Sequence, residues 1–461
     1  MSSEQQQVRE QQGKAHRGRL VRLAYPVYGE LLAGVVAGIV NMVWVARLGG
    51  PAVAAVAVAG NVENLALGLI LMAGSGTTVL VARARGARDP VALRTAVRGG
   101  WALCALLTPA VAVGGWTLRE PLASLVLGGG DGPAQRLAAG YFAISLPGLA
   151  VFFAQNLLDG MLKGAGDTRT PMRLAFLGNA LILVLDPLLI FGLCGLPALG
   201  VHSAAWATVA GRSVALAAGL VALRRNSLLR QAATARPAGR TRSALRATAV
   251  TGLPMAADFT ARMAGSLLLV AVVARIGVTS VAAYAIATKA MYVATMSFYA
   301  VRQAAAIHTA HTLGAGRDGR AAIARQAALL GAALGLLAAL VLLVAAPWVM
   351  RAFGARPDVA AAGTAFLRCL GPYLALLGCF IAVGGVFEGA GGSSLMLRVT
   401  LAGTAVQLPL AHGLAGFGLP GVCAAMALAA ALQCLAVLAL SRRFARPPAA
   451  AERAPDRVGA S

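Results

Sequence analysis

The chain is built from about twelve apolar runs, each near or above the twenty residues needed to cross a bilayer, separated by short polar connections. Their approximate cores are 23–47, 52–80, 95–118, 136–160, 171–193, 200–223, 248–275, 281–308, 324–349, 359–387, 395–415 and 419–441. With 59% of the residues hydrophobic and only 12% charged, a soluble domain could not hide this much apolar surface. The expected fold is therefore an all-α integral membrane protein with about twelve transmembrane helices. The first twenty residues are polar and basic, so no cleaved secretory signal is expected and insertion begins with the first membrane helix.

A net charge of +24 would suggest nucleic acid in a soluble protein, but here the arginines load alternate connections. They cluster at Lys14 to Arg22, Arg83 to Arg98, Lys163 to Arg173, Arg224 to Arg246, Arg317 to Arg325 and Arg442 to Arg446, with Arg398 marking one further loop weakly. That alternation is a topology signal, which predicts both termini on the cytoplasmic side and excludes a nucleic-acid partner. The expected organisation is a basic N-terminal tail (1–22), an N-lobe (23–223, helices 1–6), a basic linker (224–246), a C-lobe (247–444, helices 7–12) and a disordered C-terminal tail (445–461).

The halves repeat each other. GMLKGAGDTRTPMRL (Gly160–Leu174) returns as GVFEGAGGSSLMLRV (Gly385–Val399), and ARLGGPAVAAVAV (Ala46–Val58) returns as ARIGVTSVAAYAI (Ala274–Ile286). In the same register Pro26 falls on Pro254, Glu30 on Asp258, and Gly86-Ala87 on Gly314-Ala315. Each half holds an even number of spans, so both insert the same way round. The two six-helix lobes should then be related by a pseudo-two-fold axis along the membrane normal, with a ligand cavity between or within them.

The six cysteines (104, 194, 369, 379, 423 and 434) lack ligand spacing and read as small core residues, and His308 with His311 are too few for a zinc site. No metal or cofactor is expected. GAGD lacks the Lys-Ser/Thr of a phosphate loop, there is no HExxH, and no nucleophile clusters with an acid/base partner, so an enzyme such as a membrane-embedded lipid transferase is disfavoured.

The chain resembles the multidrug and toxic compound extrusion (MATE) family across Leu20 to Arg446. The likeness rests on the Pro-containing first helix followed by ARLGGPAVAAVA, VARARGARDP, GMLKGAGDTRTPM, LVLDPLLIFG (Leu183–Gly192), LGVHSAAWATV (Leu199–Val209) and AHTLGAGRDGRA (Ala310–Ala321), in that order and spacing. The resemblance implies a twelve-helix efflux antiporter of the bacterial inner membrane, exporting small amphiphilic compounds against H⁺, or Na⁺, as a monomer in the lipid bilayer. Its DinF-like branch offers the closer pattern.

A carboxylate in hydrocarbon is costly, so an acid within a span is a functional candidate. Asp186 stands first, deep in an apolar run and next to Pro187; the resemblance places it in an N-lobe coupling site. The family's first-helix Asp is replaced by Asn41, which can hydrogen-bond but cannot exchange a proton. Asp159, where the family leads one to expect Asn, and Glu63 are the acids that could compensate; each could instead neutralise a neighbouring Arg or Lys. In the C-lobe, Asp258 and Arg262 have the i,i+4 spacing of a self-neutralised pair. Lys289 reads as a cation deeper in that lobe, and Glu388, replacing Lys163 in the repeated motif, as a residue of the cytoplasmic surface. Met291, Tyr292, Met296, Phe298 and Tyr299 could line an adaptable pocket or simply pack. Pro26 and Pro147 could bend their helices for gating or serve as static kinks. The rival readings are a lipid or lipid-linked flippase, which a large furrow and helices beyond twelve would favour, and a degenerate paralogue, which Asn41 suggests and Asp186 opposes.

Overall fold

A computed structural model describes residues 3–127, 132–192, 195, 200–235 and 239–444. Leu199, Cys194, Pro237 and the C-terminal tail 445–461 lie outside the described residues. Twelve helical spans are present among the described residues. They are α1 (Ser3–Ala46), α2 (Gly50–Ala87), α3 (Pro90–Thr117), α5 (Pro133–Gly164), α6 (Arg169–Phe191), α7 (Val201–Arg225), α9 (Thr241–Ala274), α10 (Val278–Gly314), α11 (Arg320–Ala352), α12 (Pro357–Cys369) with α13 (Gly371–Ala390), α14 (Ser393–Leu414) and α15 (Gly418–Phe444). Two short helices were not anticipated, α4 (Arg119–Leu127) and α8 (Ser227–Thr234).

The tenth span, read as one run, is two helices. Pro372 stands in the first turn of α13 and lacks the N–H that would continue α12, so the helix breaks at Leu370. Conversely, Ser393–Arg442 is apolar throughout, but a 3₁₀ turn at Ala415–Phe417 and Gly418 at φ 70° fold it back so that α14 and α15 pack together as two spans. The basic N-terminal segment from Ser3 forms the first turns of α1, and the linker contains α8, capped by the Asn226 side chain accepting from the Leu229 N–H. In the repeated hinge, Gly166 takes φ 79° and Gly391 φ 85°, and the Asp167 carboxylate receives both the N–H and hydroxyl of Thr170 at 3.0 and 2.6 Å.

The lobes meet along α2 and α10 with the symmetry the repeat demands. A Cβ on Gly86 would collide with the His311 carbonyl, and one on Gly314 with the Arg83 carbonyl; Arg83 and His311 are themselves repeat-related positions, as are Gly86 and Gly314. Further cross-lobe contacts join Gly76 of α2 to Thr248 and Gly252 of α9, Gly99 of α3 to Ala244, and His16 of α1 to His308 of α10, whose ring nitrogens lie 2.9 Å apart. The buried cluster of the C-lobe takes in Leu20, Leu23, Ala24 and Val27 of α1 as well as Val79 and Ala82 of α2. These contacts fall in the parts of α1, α2, α3 and α10 nearest the Arg-rich connections, so the lobes are clamped at the basic end. Gly86→Leu is expected to force α2 off α10 at a cost of about 1–3 kcal/mol. A fall in the melting temperature of detergent-solubilised protein, with wild-type stability retained by Gly34→Leu, whose Cβ would meet nothing within 4 Å, would report it.

Candidate functional site

Asp186 is fully buried on α6, and its Oδ2 accepts a hydrogen bond of 2.7 Å from the Asn41 side-chain N–H of α1. The two residues singled out as the ion site and its altered partner thus meet across two helices. The other oxygen, Oδ1, has no hydrogen-bond partner among the described residues, and no cation pairs with the carboxylate there. Pro187 follows it inside the helix and cannot donate to the carbonyl one turn back, leaving that acceptor open beside the site.

From Asp186 a row of polar groups runs through the N-lobe toward the clamp. Tyr141 of α5 lies close to both Asp186 and Glu63. Glu63 of α2 faces Ser145 and the guanidinium of Arg212 on α7. Arg212 stacks over the Phe152 ring at 3.9 Å and neighbours Asp159 as well as Glu63. Asp159 of α5 is buried among Glu30, Lys163 and Arg212. Lys163 donates to Glu30 Oε1 at 2.7 Å and reaches Gln303 Oε1 of α10 at 3.4 Å, so the row ends on a cross-lobe contact. Of the four N-lobe candidates, Asn41 and Asp186 form one hydrogen-bonded pair, while the charges of Glu63 and Asp159 both act on Arg212.

The C-lobe holds a denser cluster at the repeat-related positions. Asp258 Oδ2 receives Arg262 at 2.5 Å and Arg302 at 2.6 Å, and its Oδ1 accepts from the Thr400 hydroxyl at 2.5 Å. Arg302 of α10 also donates twice to Glu388 Oε1, at 2.6 and 3.0 Å. The expected Asp258–Arg262 pair is present, with Arg302 added to it. Glu388 is not at the surface: it is 6% exposed, because Arg302 draws it inward from the end of α13. Where the N-lobe pairs Glu30 directly with Lys163, the C-lobe carries two acids, Asp258 and Glu388, and a third helix provides the bridging cation.

On α10, Lys289, Tyr292, Met296 and Tyr299 follow one stripe. Lys289 and Tyr292 are exposed, Met296 is buried, and half-buried Tyr299 lies under the Arg262 guanidinium at 5.8 Å. Met291 and Tyr299 pack against the C-lobe core. Pro26, buried in α1 one turn before Glu30, interrupts the ladder of a helix that continues through it. The described histidines, cysteines and acids make no group of three able to hold a metal ion. Sequence reasoning passed over Arg212 and Arg302. Both were visible as lone cations inside apolar runs, the same signal that singled out the acids.

Two repeat-related six-helix lobes, clamped at one end and carrying buried charge networks in each half, make up a duplicated helical membrane-protein fold. The chain belongs to the MatE family, whose family model matches residues 26–188 and 254–412, once in each lobe. Among curated relatives, the probable multidrug resistance protein NorM of Thermotoga maritima is 31% identical over 201 residues, covering 43% of this chain and 42% of that protein. NorM of Deinococcus radiodurans is 27% identical over 419 residues and 88% of both chains. The alignments to the first two curated relatives span only 42% and 37% of their lengths. A solved outward-facing multidrug resistance MATE family transporter superposes with a TM-score of 0.86 at 22% identity, over 93% of this chain and 96% of that one. A Vibrio cholerae MATE transporter, VcmN, gives 0.85 at 20% identity. These two likenesses establish the fold.

Proposed function

We propose that this chain exports small amphiphilic molecules by antiport against H⁺, acting as a single chain in the bacterial inner membrane with both termini in the cytoplasm. Asp186 is the group that alternates between coupling ion and substrate, with Asn41 orienting its carboxylate. The observation that carries this reading is the isolation of Asp186. Glu30 is bonded to Lys163, Asp258 and Glu388 are bonded to arginines, and Glu63 and Asp159 lie in the field of Arg212, whereas among the described residues no cation acts on Asp186, which has one amide donor. A carboxylate already paired with a fixed cation gains little from taking up a proton; one held only by an amide can exchange.

The polar row supplies a route by which that exchange bears on the lobes. The charge of Asp186 acts on Tyr141, which also feels Glu63 and Arg212; Arg212 in turn neighbours Asp159, and Asp159 neighbours Lys163, whose cross-lobe bond to Gln303 belongs to the clamp. An ion that binds Asp186 more strongly in one arrangement of the lobes shifts their equilibrium by that difference. With the basic connections on the cytoplasmic side, the clamp closes the cytoplasmic end, leaving the outward-open arrangement. H⁺ is preferred over Na⁺ because Asn41 turns a donor toward Asp186, whereas a sodium site would gather oxygen acceptors around the ion. Purified protein in proteoliposomes is expected to move an amphiphilic dye under a proton gradient and not under a sodium gradient. Transport driven by sodium alone would transfer the role to Na⁺, and none under either gradient would contradict the reading for such substrates.

A further inference from the structure

A cavity of about 1050 Å³ opens at the basic end, away from Asp186, between α3, the end of α7, α8 and the first residue of α9. Four arginines line it, Arg94 and Arg98 of α3, Arg224 of α7 and Arg230 of α8, and among the described residues its lining contains no acid. Apart from Thr241 of α9, the other lining groups are apolar or aromatic, among them Val97 and Trp101 of α3, Leu223 of α7 and Leu229 of α8. Leu229 and Ala232 are the buried face of α8, whose opposite face is exposed, so the short helix lies along the bundle as an amphipathic lid over this space. Arg98 is tied by a hydrogen bond to the Thr241 hydroxyl of α9, which makes the cavity part of the seam between lobes. Arg94, half-buried, and Arg224 and Arg230, exposed, are the cations turned to an incoming anion.

From this geometry we propose that the cavity binds an anionic phospholipid. The phosphate is held by Arg94, Arg224 and Arg230 near Arg98, and the upper acyl chain lies against Trp101, Val97 and Leu229. Arginine forks match phosphate oxygens, and the absence of an acid from the lining leaves the four positive charges to be satisfied from outside the chain. The apolar lining separates a lipid from free phosphate, because a bare anion would leave Val97, Trp101, Leu223 and Leu229 facing water. A Trp beside an arginine group at the end of a bundle is where headgroup and acyl region meet. The bound lipid touches α3 of one lobe and lies beside Arg98, bonded to α9 of the other, so it braces the clamped end. The site stands independently of which ion or substrate the transporter uses.

The test uses the full chain in detergent, titrated with short-chain phosphatidylglycerol, short-chain phosphatidylcholine or inorganic phosphate while the melting temperature is followed. Phosphatidylglycerol is expected to raise it by several degrees, phosphatidylcholine and phosphate by much less, and the increment is expected to disappear in Arg94→Gln/Arg230→Gln but persist in Arg351→Gln, at the opposite end of the bundle. Equal stabilisation by phosphate would show an anion site without a lipid and overturn the proposal, as would an unchanged increment in the double variant. Should that variant fail to fold, nanodiscs carrying phosphatidylglycerol or phosphatidylcholine brominated on the upper acyl chain decide the matter. The fluorescence lost on replacing Trp101 with Phe should be quenched more by the brominated anionic lipid, and equal quenching by both lipids would refute the site.

Discussion

Arg302→Met is expected to be the most damaging single substitution in the C-lobe, lowering stability by about 3–5 kcal/mol, the range for breaking a buried ion network by removing one partner. Arg302 is 4% exposed and donates to both Asp258 and Glu388. Without it Glu388 loses its cation, and Asp258 keeps only Arg262 and Thr400. Two acids would then lie close in the membrane interior with one cation between them. The expected readout is loss of monodisperse protein after detergent extraction. Because the penalty arises from uncompensated charge, adding Glu388→Leu should recover much of the loss, while Arg302→Lys should recover less, since an ammonium cannot reproduce the guanidinium's donors to both carboxylates. If Arg302→Met alone extracted and melted like the wild type, the cluster would not hold α9, α10 and α13 together.

The second large effect is functional. Asp186→Asn keeps the side-chain shape and a group able to bond Asn41, so the protein should fold and extract normally, yet gradient-driven transport is expected to fall to background. Asn41→Ala should act differently. It leaves the carboxylate in place and removes its only hydrogen-bond donor among the described residues, so transport should persist at a reduced rate with a weaker apparent affinity for the driving ion. Asp186→Glu separates shape from charge, because retained activity there with none in the Asn variant would tie the loss to ionisation. Transport in Asp186→Asn equal to the wild type would move the coupling role to another acid, Glu63 or Asp159 being the first to examine.

The spans and the duplication were legible in the sequence because both rest on strong local signals: apolar length, arginine alternation and motifs in register. The site was legible residue by residue but not as an arrangement. Asp186 could be singled out from its own apolar surroundings, whereas its bond to Asn41 joins positions 145 residues apart and exists only once α1 and α6 pack. Arg212 and Arg302 were not singled out, so the cation beside Glu388 went unseen and the neighbouring Arg allowed for Glu63 and Asp159 was not identified. Glu388 was misplaced for a related reason: its repeat partner is a lysine, and a lone acid near a loop suggests the surface unless a cation from another span is known to face it. The break at Leu370 was written in Pro372, but the surrounding apolar run was long enough to conceal it. Helix α8 carried its cap, Asn226, and its apolar pair in the sequence; within a basic linker those signs were outweighed by charge.

Proton release on substrate binding tests the central claim most directly. Purified protein in weakly buffered detergent solution is mixed with an amphiphilic substrate, and the pH change is followed in the wild type and in Asp186→Asn. The account predicts that binding displaces a proton from the wild type, in an amount approaching one per bound molecule, and none from the variant. The same release from Asp186→Asn, or binding to the wild type without release, would contradict the assignment of Asp186 as the group exchanged between ion and substrate.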